Sequence, residues 1–358
     1  MNKLTEYTFD DLQENSPLFS HLVRLIESNQ LVPIIGAGFS AEGKTESGTV
    51  PSAKRLCEVL VDIIIKHDSF ISDTQRNQLR KAAENRELSS IAAHALRIVE
   101  DSDAASQDLR EFVQENFLGV HDLEEQKRLF INCGWKYLYT LNYDDAIENL
   151  LRQNSHRDFA THLPYRKIDR RWSERRGMTC LIKLHGDAGE YARTGDTRYL
   201  VLTKKQYASL IQDSNNATIR AGLQEDLSSK ALLFVGCSLT DEFDILFENE
   251  KYLDGLQSNA RENSYYIHYD TNPGEELSWE LTSRLQEYGI DNIIRITPDR
   301  ILSFYSQIAL ASSHARKIKN DDAISMQTLI LCALTRQAEK ISIIYTLTRT
   351  CSILKTKE

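Results

Sequence analysis

The chain has 358 residues, 41% of them hydrophobic and 27% charged, with a formal net charge of −9 at pH 7. That length and apolar content allow one large domain or two with a sizeable core, and the acidic balance argues against a wholesale nucleic-acid coat. The six cysteines are scattered without a CxxC pair, the N-terminus lacks a basic-then-apolar leader, and no run of apolar residues reaches membrane-spanning length. A protein without a metal, disulfide or membrane anchor is therefore expected, in the cytoplasm.

The first continuous apolar run, Leu31 to Ile35, feeds directly into Gly36-Ala37-Gly38-Phe39-Ser40. Glycines there allow backbone geometries in which successive N–H groups converge on an anion, so the turn is expected to cradle phosphate. The same residues fit other templates. Gly38 to Thr45 has P-loop spacing with Lys44 and Thr45 in the phosphate and metal positions, and Gly36 to Ala41 has a dinucleotide pattern with Glu58 as a possible ribose acid. Both templates require a helix directly after the turn. Gly48 and Pro51 oppose one, and the first convincing helical pattern is Ser52 to His67.

Helical patterns then continue to about Cys133, which predicts a helical insertion over about 68–133 covering one edge of a sheet. Further β-rich apolar runs follow at Tyr137 to Leu141, Cys180 to Leu184, Tyr199 to Leu202, Ala231 to Val235, Tyr265 to Tyr269 and Ile293 to Ile296. Continuous apolar character fits strands buried on both faces, so the fold class is α/β, a Rossmann-like doubly wound and mainly parallel sheet. Between two of these runs, 152–177 is rich in Arg and Lys with Phe159, Tyr165 and Trp172 interleaved. It reads as a solvated connection, with direct nucleic-acid contact as the weaker alternative. Beyond Ala311 the strand pattern stops, and Asp321 to Leu354 carries an apolar helical stripe that needs a partner. Two units result: 1–311 as the catalytic domain, and 312–358 as a C-terminal helical segment for oligomerisation or partner docking.

Three polar motifs fall where strands should end: Thr140-Leu141-Asn142-Tyr143-Asp144, Leu184-His185-Gly186 and Gly236-Cys237-Ser238-Leu239-Thr240-Asp241. Parallel strands align their carboxyl ends, so these can converge with the Gly36 turn on one site.

With GAGFS at Gly36 to Ser40, Val50-Pro51-Ser52, and Leu202-Thr203 followed by Tyr207, these motifs resemble the sirtuin superfamily in order, and especially its sirtuin-like branch in bacterial antiphage defence. The resemblance covers roughly Leu31 to Leu246. It implies that Gly36, Ala37, Gly38, Phe39, Ser40, Gly236, Ser238 and Asp241 bind NAD. It also implies that Asn142 and Asp144 sit at the nicotinamide end, and that His185 bonds to ribose hydroxyls and serves as general base. The zinc-bound four-cysteine module of sirtuin deacylases has no counterpart, and the family's Asp-Phe-Arg is replaced near Ser52-Ala53-Lys54. The expected activity is therefore an NAD+ glycohydrolase giving nicotinamide and ADP-ribose or cyclic ADP-ribose, the effector of antiphage defence by NAD depletion. Such an effector needs restraint, by homo-oligomerisation or by a partner: an ATPase, an Argonaute-type protein or a phage component. Two alternatives remain open: a P-loop ATPase using Lys44 and Thr45, with Asp270 holding the metal, and a non-catalytic sensor of NAD or ADP-ribose.

Overall fold

A computed structural model of the protein describes residues 4–153, 158–166, 170–239 and 264–316. Its sheet contains β1 (Thr5–Thr8), β2 (Leu31–Ile35), β5 (Tyr137–Thr140), β6 (Phe159–His162), β7 (Thr179–Lys183), β8 (Ala231–Val235), β9 (Tyr265–Tyr269) and β10 (Asn292–Ile296), in the order β1-β10-β9-β8-β2-β5-β7-β6. Every pairing in it is parallel. The chain leaves β2 toward β5 and returns on the other side at β8, so the order reverses between β2 and β8. Ligands of open α/β sheets bind outside the carboxyl ends of the strands at such a reversal.

The continuous apolar runs form strands because both faces are covered. In β2, Leu31 and Ile35 join one core cluster while Val32 and Ile34 join the other. The same alternation divides β8, with Leu233 and Val235 on the first side and Leu232 and Phe234 on the second.

After α1 (Pro17–Glu27) and α2 (Ala53–His67), the expected helical insertion consists of α3 (Asp73–Glu84), α4 (Leu88–Asp101), α5 (Asp103–Phe117) and α6 (Glu125–Ile131), and α2 packs with it. Leu60, Ile64, Ala92, Ala95, Leu109 and Val113 form part of a separate core beneath it. That core also takes in Ala146, Ala188 and Leu200, which follow the carboxyl ends of β5 and β7, so the helices roof that edge of the sheet.

Several local expectations change. Leu200 to Leu202 is buried but makes only an isolated bridge, Gly186 to Leu200, after a 3-10 turn at Thr197–Tyr199. It straps the end of β7 instead of adding a strand. Two strands lacked an apolar run and were not anticipated. These are the edge strands β1, mostly exposed, and β6, which lies within the basic stretch. Edge strands pair on one side only, so their sequences need not be continuously apolar. The helix 301–316 runs through the expected boundary at Ala311. Phe304, Tyr305 and Ile308 enter the sheet core, while Ala311 and Ala315 pack with Phe19 and Val23 of α1. Asp241, the stripe Asp321 to Leu354, and parts of the basic stretch at 154–157 and 167–169 lie outside the described residues.

Candidate active site

After Ile35 the chain makes a 3-10 turn, Ala37–Phe39, and then an antiparallel hairpin of β3 (Lys44–Thr45) and β4 (Gly48–Thr49) before α2 opens at Ala53, capped by Ser52. The P-loop and dinucleotide templates both fail here, because neither helix nor helix dipole follows the turn. Lys44 instead pairs with Asp122 at 3.3 Å on the surface, and Glu58 pairs with Arg55. Asp270, the metal ligand of the ATPase alternative, is bound by Arg295 at 2.8 Å.

The glycines serve a close backbone contact across the β2/β8 reversal. Gly38 N–H donates to the Gly236 carbonyl at 2.9 Å, and Phe39 N–H donates to the Gly36 carbonyl at 3.0 Å. A Cβ on Gly36 would lie 2.6 Å from the Gly236 oxygen, and one on Gly236, whose φ is +66°, would lie 2.6 Å from Phe39 N. The N–H groups of Gly38 and Phe39 are thus already used, which corrects the expectation that this turn presents a continuous array of donors to phosphate. Phe39 is likewise no ligand contact through its side chain: the ring is fully buried, edge-on to Tyr305 at 5.6 Å.

Asn142, Asp144 and Ser40 meet directly although they are far apart in sequence. Asn142 Nδ2 donates to Ser40 Oγ at 3.0 Å and to the Gly36 carbonyl at 3.2 Å, and Ser40 Oγ donates to Asp144 Oδ2 at 2.7 Å. Asp144 Oδ1 accepts from Ala146 N at the start of α7 (Ala146–Arg152). Both carboxylate oxygens are therefore engaged, and Asp144 fixes the geometry of the others. Burial raises its pKa, opposed by the Ser40 hydrogen bond and by Lys183. Asn142 Oδ1 is buried and has no hydrogen-bond partner.

His185 follows β7 on the same edge and is 3% exposed. Its Nδ1 lies 3.2 Å from the Tyr207 hydroxyl, the rings meeting edge to face at 4.9 Å, while its Nε2 is buried without a partner. Burial pushes its pKa down to about 3, against a smaller raising effect of the Leu141 carbonyl, so the imidazole is neutral around pH 7. Gly186, at φ +102°, lets the Tyr199 carbonyl approach where any Cβ would collide at 2.0 Å. Asp187 then caps the helix Ala188–Thr194.

Lys183, at the end of β7, was not anticipated. It is fully buried, and its Nζ donates to the carbonyls of Asp144 at 2.7 Å and Tyr143 at 3.2 Å. It also pairs with Glu148 at 2.9 Å and Asp187 at 2.8 Å. One ammonium thus joins the Asn142–Asp144 loop, the helix behind it and the turn after His185. A lysine within an otherwise apolar strand run is the signal that could have revealed it, since a buried charge needs partners.

A narrow pocket of about 80 Å³ collects Ala37, Ser40, Asn142, Asp144, His185 and Tyr207. Val50, Pro51, Ser52 and Ala53 are shared with an adjoining open cleft of about 980 Å³ that Gly38 and Arg55 also line. The two unpartnered atoms, Asn142 Oδ1 and His185 Nε2, thus belong to residues of one pocket wall. Ser238 is exposed beyond Gly236 and is not part of that wall.

In the basic stretch, Arg170 stacks on Tyr137 at 3.6 Å and pairs with Asp226 at 2.9 Å, Arg166 pairs with Glu190, and Arg176 stacks on Trp172 at 4.3 Å. Much of its described charge therefore has internal partners. Among the described residues no helix is long and apolar enough to cross a membrane. No three His, Cys, Asp or Glu side chains among them cluster as a metal site would need.

Over 163 residues the chain is 26% identical to the NAD(+) hydrolase ThsA of Enterococcus faecium, an alignment that takes in 43% of this chain and 29% of that one. The chain therefore matches less than a third of that relative's length. Residues 136–293 match the family model of the SIR2-like domain, a range that begins just before β5 and includes Asn142, Asp144, His185 and Gly236. The Gly36 turn lies outside the matched range, but Gly36 and Gly38 contact Gly236, and Ser40 bonds to Asn142 and Asp144. Residues 136–293 are thus similar to the SIR2-like domain, within a Rossmann-like α/β fold.

Proposed function

We propose that this pocket cleaves the bond between nicotinamide and ribose in NAD, giving nicotinamide and ADP-ribose or its cyclic form. The observation that carries the reading is the pairing of two buried, unsatisfied polar atoms, Asn142 Oδ1 and His185 Nε2, on residues of one narrow wall beside the Gly36 turn. Buried polar atoms without partners cost stability, and they are retained where a ligand completes them. The similarity to an NAD(+) hydrolase supplies the substrate class.

In hydrolysis the C1′–N1 bond breaks and its electron pair leaves with nicotinamide, which departs uncharged. The water oxygen then bonds to C1′, and a proton is released. Positive charge builds on the ribose, so the site must orient the carboxamide and the water while limiting competing nucleophiles. Asn142 Oδ1 is suited to accept from the carboxamide or the water. A neutral His185, its Nε2 free, is suited to bond to a ribose hydroxyl and hold its proton. Asp144 and Lys183 keep Asn142 and Ser40 in place.

We assign the protein to antiphage defence through NAD depletion, with restraint in uninfected cells by self-assembly or by a partner, an ATPase, an Argonaute-type protein or a phage component. The segment 312–358 is the region we propose for that contact. Incubating purified protein with NAD, alone and with lysate of phage-infected cells, tests the activity by nicotinamide release. Release that Asn142→Ala abolishes supports it. Release unchanged in that variant, or none under any condition, overturns it. Tight NAD binding without turnover would assign the pocket to a sensor.

A further inference from the structure

We propose that Tyr207 is the positioning residue of His185: its hydroxyl on Nδ1 holds the imidazole in one orientation and one tautomer, leaving Nε2 to the narrow pocket. The inference rests on reading that pocket as the place where the glycosidic bond is cleaved.

A neutral imidazole has one N–H, and whichever nitrogen carries it decides whether the other donates or accepts. Nothing on the pocket side of His185 fixes that choice, because Nε2 makes no hydrogen bond with the protein. The choice therefore falls to the groups that do contact the ring, the Tyr207 hydroxyl at 3.2 Å from Nδ1 and the Leu141 carbonyl, which can only accept.

Tyr207 is itself firmly placed. It lies in the first turn of the helix Lys204–Gln212, which Thr203 caps in a reciprocal box with Gln206. Gln206 also ties down the strap that precedes the helix. Its Nε2 donates to the carbonyls of Thr197 and Leu200, and its Oε1 accepts from the N–H groups of Leu202 and Thr203, all within 3.1 Å. The strap is fastened to the catalytic edge by Val201 N–H donating to the His185 carbonyl at 2.9 Å, and by the Tyr143 hydroxyl donating to the Val201 carbonyl at 2.7 Å. The backbone of His185 and the phenol that contacts its ring are therefore held by one continuous hydrogen-bonded unit. A ring present only for packing would not need its hydroxyl, and that difference makes the inference testable.

Tyr207→Phe keeps the edge-to-face ring contact and removes the hydroxyl. Two measurements are made on the full chain. Nicotinamide release from NAD gives kcat and KM, and proton–nitrogen correlation spectra of protein labelled at histidine nitrogen give the tautomer of His185, assigned by its loss in His185→Gln. The expected result is a kcat lower by about tenfold with KM within about twofold, together with a change from one tautomer to a mixture. An unchanged tautomer, or an unchanged kcat in an enzyme that turns over, overturns the positioning role. Absence of turnover in the wild-type protein overturns the NAD reading instead, and the spectra still decide whether Tyr207 fixes the ring.

Discussion

Replacing Lys183 with methionine removes the cation from the most heavily buried charge cluster of the site while keeping most of the side chain's volume. The ammonium is bracketed by Glu148, only 6% exposed at its side chain, and Asp187, at 15%, and it also satisfies two backbone carbonyls. Removing one partner of a buried ion pair leaves an uncompensated charge and costs about 3–5 kcal/mol. At about 2–4 °C per kcal/mol for large domains, Lys183→Met is expected to melt roughly 6–20 °C below wild type in a calorimetric scan. Burial by itself lowers the folded lysine's pKa, but Glu148 and Asp187 outweigh it and leave the pKa above its ordinary value. Its stabilisation is thus fully present below the unfolded pKa and lost only as pH rises through the higher folded value, so titration of the lysine itself adds no pH dependence between pH 6 and pH 8. Neutralising both carboxylates alongside, in Lys183→Met/Glu148→Gln/Asp187→Asn, should recover at least half of the loss, since no charge is then stranded and Asn still caps the helix after His185. A single variant within about 1 kcal/mol of wild type, or a triple variant no more stable than the single, would refute this account of the cluster.

The contact between the two glycine turns predicts that Gly236→Ala costs about 2–4 kcal/mol in urea denaturation, from both its positive φ and the 2.6 Å collision with Phe39 N. Gly274→Ala, also at positive φ but with nothing within 4 Å, should lose only about 1 kcal/mol; equal losses would remove the close approach as the reason for Gly236. Lys44→Ala should leave NAD turnover intact and change stability by under about 1 kcal/mol, because its ion pair with Asp122 is more than half exposed on both sides. Loss of activity in that variant would revive a phosphate-binding role for Lys44. His185, with its pKa depressed to about 3, contributes stability that is present above its unfolded pKa of about 6.5 and lost as pH falls toward the folded value. Between pH 6.5 and 4.5 that amounts to roughly 2–3 kcal/mol. His185→Gln should therefore show a flatter acid limb in denaturation midpoints over that range, and an identical limb would show that the histidine is protonated in the folded protein.

Much of the central architecture was legible in the chain itself. The continuous apolar runs at Leu31, Tyr137, Cys180, Ala231, Tyr265 and Ile293 became central strands because both faces are buried, and burial on both faces leaves a local signature. Gly48 and Pro51 likewise foretold that no helix follows the glycine turn, and a hairpin stands there. The convergence of Ser40, Asn142, Asp144 and His185 followed from their places at the ends of parallel strands. Edge strands β1 and β6 escaped notice because pairing on one side demands no apolar run. Only the tertiary structure decided what each polar group does. Gly38 N–H is taken by Gly236, both Asp144 oxygens are engaged, Phe39 belongs to the core, and Asn142 Oδ1 and His185 Nε2 remain without partners. Sequence fixes which donors and acceptors exist and which strand ends carry them. Whether a given atom is consumed inside the fold or left for a ligand depends on contacts between residues a hundred or more positions apart, such as Ser40 with Asp144.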